Sequence, residues 1–107
     1  MHFSEYQKES RKTARYTNAG KNYIYPLLGL LGEAGEVAEK AKRTMRDGKT
    51  TEELKSDIKK ELGDVLWYIA QVATELDLSL EDIADNNLKK LFSRMERDKI
   101  SGEGDNR

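Results

Sequence analysis

Two short segments of the chain carry acids in the same arrangement. Residues 33–36 read Glu-Ala-Gly-Glu, and residues 61–64 read Glu-Leu-Gly-Asp. In each, two carboxylates stand three residues apart, with a glycine directly before the second. On an α-helix this spacing puts both side chains on the same side, one turn apart. Two such helices side by side would direct Glu33, Glu36, Glu61 and Asp64 into one small space. Carboxylates gathered in this way repel one another unless a cation neutralises them. Mg²⁺ is the hard, oxygen-seeking ion suited to that task, and Mn²⁺ can take its place. Pairs at spacing three also arise by chance among 20 acidic residues, and Glu36 with Glu39 is one. Repetition with a matching glycine on successive helices sets these two apart.

A third group, Asn87, Lys90 and Arg94, is spaced three and four apart and forms a stripe with Ile83. A lysine and an arginine one turn apart can hold successive phosphates, the arginine with two donors at once. Asn87 can bind a metal-held water, a phosphate or a base edge. Taken alone, the stripe is better read as an ordinary solvated flank pairing with Asp98 or Asp85. Beside four acids it completes a metal–polyphosphate site, in which acids hold metal, metal holds phosphate and cations hold the remaining phosphate charge. Lys40, Arg43 and Lys21 are further phosphate candidates by charge and location. Tyr68 or Trp67 can stack on a base, although aromatics at helical spacing are more often core residues.

The elements that must position these groups are helical almost throughout. A first helix is predicted from about Ser4, with Gln7 completing a capping box, to about Arg15. Residues 17–22, Thr-Asn-Ala-Gly-Lys-Asn, read as a loop. A second helix carries Pro26 near its first turn and stops at Asp47-Gly48. A third begins with a Thr50–Glu53 capping box and runs to Leu76. A short break at Asp77-Leu78 leads to Ser79, the cap of a fourth helix. The predicted organisation is one helical domain over residues 1–100, built as a bundle, followed by a polar, glycine-rich tail at 101–107.

Helical geometry sets the directions of the acids. On the second helix Leu27, Leu31, Ala34, Ala38 and Ala41 define the apolar centre, and Glu33 falls roughly 100° to one side of it. Glu36 lies nearly opposite that centre, with Lys40 between the two acids. On the third helix the apolar centre is near Ile58, Ile69 and Leu76, flanked by Glu61, Asp64 and Tyr68. Three acids therefore border the core, and Glu36 faces a site only if something covers the outer side of the second helix. Gly35 and Gly63, each costing ~1 kcal/mol inside a helix, suggest a close approach by a helix or ligand.

Composition limits the alternatives. The 107 residues include no cysteine, so neither disulfides nor thiolate-bound zinc contributes. A net charge of −1 argues against broad electrostatic capture of nucleic acid or membrane. No apolar run approaches ~18 residues and the first residues do not form a signal peptide, so the expectation is a soluble, cytoplasmic protein. With 36% charged residues and a mean hydropathy of −0.85, the chain has few apolar side chains for a core and is expected to pair with further copies.

With these residues assembled, the chain resembles the MazG-like nucleoside triphosphate pyrophosphohydrolases of the all-α NTP pyrophosphatase superfamily. The family signature, E-x-x-E on one helix and E-x-x-D on the next, is matched by Glu33, Glu36, Glu61 and Asp64. The surrounding Gly29–Lys40 stretch is similar to the family's first motif helix, Lys90 and Arg94 match its K-x-x-x-R element, and Gly104-Asp105-Asn106-Arg107 resembles the tail of short members. The resemblance implies a four-helix all-α fold assembled as a dimer or a dimer of dimers. It also implies Mg²⁺-dependent cleavage of a (deoxy)nucleoside triphosphate to monophosphate and pyrophosphate. In that scheme the four acids hold metal, Glu36 orients or deprotonates the attacking water, and Lys90 and Arg94 neutralise phosphate charge. Two rivals stand beside it. A di-iron carboxylate bundle would want Glu-x-x-His on two helices, and the only histidine is His2. A non-catalytic helical dimer acting as a partner-binding module accounts for the helices but not for the paired acids.

Overall fold

A computed structural model describes residues 1–97, which form four helices: α1 (Phe3–Arg11), α2 (Ile24–Asp47), α3 (Thr51–Glu75) and α4 (Leu80–Glu96). The expected tail at 101–107 lies outside the described residues. Among the described residues there is no strand and no helix long and apolar enough to cross a membrane.

Four of the helix boundaries follow from local chemistry. The Thr50 hydroxyl accepts from the Glu53 N–H at 3.2 Å, and the Ser79 hydroxyl accepts from the Asp82 N–H at 3.2 Å. Each satisfies an amide that the first helical turn leaves without a partner. Gly48 ends α2 in the left-handed conformation, at φ 67°, that glycine adopts without steric cost. Asp77, at φ 56°, makes the break between α3 and α4.

The predicted capping box on α1 does not form. His2 is the N-cap and contributes no side-chain bond. Gln7 is used elsewhere. Its Nε2 donates to Thr74 Oγ1 and to the Leu78 carbonyl, and its Oε1 accepts from the Leu80 N–H at 2.8 Å. One amide side chain on α1 thus fastens the junction between α3 and α4. The first helix also ends earlier than predicted. The N–H groups of Lys12, Thr13 and Ala14 bond to carbonyls three residues back, tightening the chain into turns after Arg11.

In the packing, α2 rests mainly on α3, while α1 contacts both α3 and α4. The α2 residues Leu30, Glu33, Val37, Lys40 and Thr44 are half-buried. The expected apolar centre is mostly not the buried face: Leu27, Ala34 and Ala38 are exposed, Leu31 is 67% exposed, and only Ala41 is half-buried. Leu62 and Leu76 on α3 are also exposed, as are Leu88, Phe92 and Met95 on α4. One short chain has too few apolar side chains to cover both sides of two long helices. It buries the flank that carries polar groups and leaves the greasier face outward.

On α3 that flank carries a polar stripe, open at Asp64 and buried toward its C-terminal end. Glu61, Asp64, Tyr68, Gln71 and Glu75 recur at spacings of three and four, so they lie in one line down the helix. Gln71 is fully buried, its Nε2 donating to Ser10 Oγ and its Oε1 accepting from Arg11 Nη1. Glu75 closes the stripe. Its side chain is 1% exposed, and its carboxylate accepts four bonds. The donors are Arg11 Nη2 at 2.8 Å, the Tyr16 hydroxyl at 2.5 Å, and the N–H groups of Gly20 and Asn22 at 2.8 and 2.9 Å. Burial pushes this carboxyl upward, but the donors outweigh it and hold the pKa at about 2.

A depressed carboxyl contributes stability that is present above its ordinary value of 4.5 and is lost as pH falls toward about 2. Arg11 and Tyr16, whose pKa values are raised, keep their protons across that window. Glu75→Gln should therefore lower unfolding free energy at pH 7, and its deficit relative to wild type should shrink as pH falls below 4.5. Denaturant melts of both proteins between pH 7 and 2 check this. A deficit that does not change with pH would show that the charge of Glu75 contributes nothing.

Candidate functional site

Helices α2 and α3 bring three of the four motif acids together. Glu33, Glu61 and Asp64 each offer a carboxylate oxygen, and these oxygens all lie within 4.8 Å of one another. Glu33 and Glu61 are half-buried between the helices, and Asp64 is exposed at the rim. Such a set of hard oxygen donors could hold a divalent cation. The electrostatics agree with that chemistry. The Glu33 carboxyl is pushed up, first by its hydrogen bond with Glu61, then by burial and by the charges of Asp64, Glu61 and Glu36. A carboxylate is raised in this way when its neighbours carry the same charge and no cation is at hand.

Glu36 stands apart from this group. It lies one turn beyond Glu33 on the exposed side of α2, near enough for its charge to act on Glu33. This is the direction that the helical geometry predicts. Lys40 is half-buried one turn past Glu36, and Arg43 is exposed and paired with Glu39 at 3.3 Å. Lys21 is exposed in the loop before α2. On α4, Asn87 is exposed, Lys90 half-buried and Arg94 only 2% exposed. A guanidinium at that depth does not belong to a solvated flank.

Aromatic side chains border the acids. Tyr68 follows Asp64 by one turn. Its phenol is pushed up by burial first, then by the adjacent Tyr25 hydroxyl and by the charges of Glu33 and Asp64. The Tyr68 ring sits where a Cβ on Gly29 would come within 2.2 Å of it. Gly29 is therefore the glycine that permits a close approach within the chain. Gly35 and Gly63, which the sequence pattern singles out, have nothing within 4 Å of that position, nor does Gly32. Tyr25 stacks on Tyr16 with ring centroids 4.9 Å apart, and Trp67 meets Tyr16 and Tyr68 edge-on. The Trp67 N–H donates to Thr13 Oγ1 at 2.8 Å.

Sequence reasoning missed Tyr6, Tyr16, Tyr25 and Glu75. The Tyr6 phenol is pushed up by burial and then by the charge of Asp64. Glu75 was readable, because it continues the three-and-four spacing that begins at Glu61. The tyrosines were not, because their positions depend on how the segment before α2 folds back onto α3.

Repulsion among the three acids has a measurable consequence. In metal-free protein at pH 8, Glu33→Gln should melt a few degrees above wild type, because it removes a charge from a crowded group. The gap should close as pH falls and Glu33 takes up its proton. An equal or lower melting temperature for Glu33→Gln at pH 8 would mean that the carboxylates do not repel one another in the folded protein.

The family model for the MazG nucleotide pyrophosphohydrolase domain matches residues 24–97, from the start of α2 to the end of α4. The chain is also 46% identical over 114 aligned positions to the Gene 37 protein of Mycobacterium phage L5, and the alignment spans the whole of both chains. No solved structure matches. The matched segment covers most of the chain and includes all four motif acids and the α4 stripe, so the chain belongs to the MazG nucleotide pyrophosphohydrolase domain family.

Proposed function

We propose that this protein hydrolyses (deoxy)nucleoside triphosphates to the monophosphate and pyrophosphate, with Mg²⁺ as its cofactor and Mn²⁺ able to substitute. One observation carries the reading: Glu33, Glu61 and Asp64, from two different helices, gather within 4.8 Å in a chain of this family. When bound, the cation supplies charge neutralisation for the phosphates and acidifies water. Glu33, Glu36, Glu61 and Asp64 would hold it, and Glu36 would orient the attacking water or accept its proton. The water adds to phosphorus, the bond between the first and second phosphates breaks, and pyrophosphate leaves with the charge it gains. Lys90 and Arg94 offset that charge, with Lys40 and Asn87 as further contacts to the triphosphate.

The exposed apolar face supports assembly. Leu27, Leu28 and Leu31 on α2 form a surface that water solvates poorly. A second copy would cover it, giving a dimer or a dimer of dimers. Sedimentation at micromolar concentration should then show a dimer or larger. A folded, active monomer would overturn the assembly.

The activity is tested by pyrophosphate release from a panel of ribo- and deoxynucleoside triphosphates with Mg²⁺. Wild type should turn over at least one of them. Asp64→Asn and Glu36→Gln should each lose at least about 100-fold in kcat while keeping their helical circular dichroism. Near-wild-type turnover in either variant at saturating Mg²⁺ removes that residue from the site. No turnover of any triphosphate by wild type would instead favour a non-catalytic, partner-binding dimer.

A further inference from the structure

Among the described residues, Glu75 is the one deeply buried acid that the proposed chemistry does not use. It sits at the far end of the α3 stripe from Glu61, yet a continuous set of contacts leads from it back to the acid cluster. Its carboxylate accepts from the Tyr16 hydroxyl at 2.5 Å. The Tyr16 ring stacks on Tyr25 at 4.9 Å with an interplanar angle of 14°. The Tyr25 hydroxyl lies against Tyr68, and Tyr68 feels the charges of Glu33 and Asp64. The same carboxylate accepts from the backbone N–H groups of Gly20 and Asn22. Asn18 and Gly20, at φ 57° and 100°, curl the loop so that those N–H groups turn inward.

We propose that Glu75 is a positioning residue for nucleobase binding: by pinning Tyr16 and the 17–22 loop, it holds a wall of Tyr16, Tyr25, Trp67 and Tyr68 in place beside the acid cluster, and the nucleobase stacks on that wall. The inference rests on the hydrolase reading, since it assumes that the acids hold the phosphate end of the same ligand. Three features favour it. Tyr25 is 48% exposed, an aromatic face open to a flat ring next to a candidate metal centre. Stacking on aromatic side chains is the interaction that every base can make. The segment between α1 and α2 has no regular structure of its own, so the angle of Tyr16 is set by its ring contacts and by its hydroxyl, which donates to Glu75 and accepts from Arg11 Nη1 at 2.7 Å. A carboxylate with four donors fixes it in a single geometry, and preorganisation of this kind raises affinity without adding a contact to the ligand.

The test separates the base from the phosphates. Binding of a turned-over nucleoside triphosphate and of inorganic tripolyphosphate is measured by calorimetry, with Ca²⁺ in place of Mg²⁺ to suppress hydrolysis. Wild type, Glu75→Gln and Tyr16→Phe are compared, the last keeping the ring but losing the hydroxyl that Glu75 accepts from. Wild type should prefer the nucleotide by about 10-fold or more, the scale of one stacked base. Glu75→Gln should lose most of that preference while its tripolyphosphate affinity stays within about twofold, and KM should rise more than kcat falls. Tyr16→Phe should move the same way by a smaller factor. Three results overturn the proposal: wild-type preference retained in both variants, equal loss of both ligands, or a wild type that binds tripolyphosphate as tightly as nucleotide. Absence of pyrophosphate release by wild type is a separate result, which fails the hydrolase reading and takes this inference with it.

Discussion

The structure depends on a single constraint, the burial of a polar stripe along α3. Helices usually bury their apolar face and leave charge to water. Here Glu61, Asp64, Tyr68, Gln71 and Glu75 face the neighbouring elements, and each buried polar group needs a partner to offset its desolvation. At the C-terminal end the partners come from α1 and the segment after it: Ser10 and Arg11 meet Gln71, while Arg11, Tyr16, Gly20 and Asn22 meet Glu75. Short α1 therefore stays in place through hydrogen bonds, with the small Ala70 and Ala73 and the well-buried Leu80 filling the interior around it.

The two ends of that stripe are opposite solutions to the same electrostatic problem. Glu75 is surrounded by donors and held at about 2, so it is charged and satisfied. Glu33, packed against Glu61, is surrounded by acids and pushed upward. The first arrangement is complete within the chain. The second is balanced by a proton or by a cation, and a group that must exchange one for the other is suited to metal-dependent chemistry. Between them, Tyr68 belongs to both: it follows Asp64 by one turn, and Tyr25 beside it stacks on the Tyr16 that Glu75 holds. The elements that finish the fold and the elements that border the acids are thus mechanically joined.

Much of this was legible in the sequence where the signal is local. Thr50 and Ser79 cap the helices they were expected to cap, the turn at Gly48 and the break at Asp77 fall where predicted, and the side of Glu33 and the outward direction of Glu36 follow from helical geometry. What failed was the inference from hydropathy to packing. Leu27, Leu31, Ala34 and Ala38 mark the apolar centre of α2 correctly, but hydropathy cannot say whether that centre meets another part of the chain or lies open. Nor can spacing show that Gln7 prefers the α3–α4 junction to its own helix start, because its partners are some 70 residues away in sequence. The same is true of Tyr16 and Glu75, a pair formed only when the loop closes.

The claim on which the functional reading stands is that Glu33, Glu61 and Asp64 form a metal centre. Crystals grown with Mn²⁺ and measured for anomalous scattering test it directly. A peak at roughly 2.0–2.3 Å from oxygens of all three carboxylates is predicted, with the position of Glu36 showing whether it joins them. Ordered carboxylates with no anomalous peak between them, or a Mn²⁺ bound only by other residues, would contradict it.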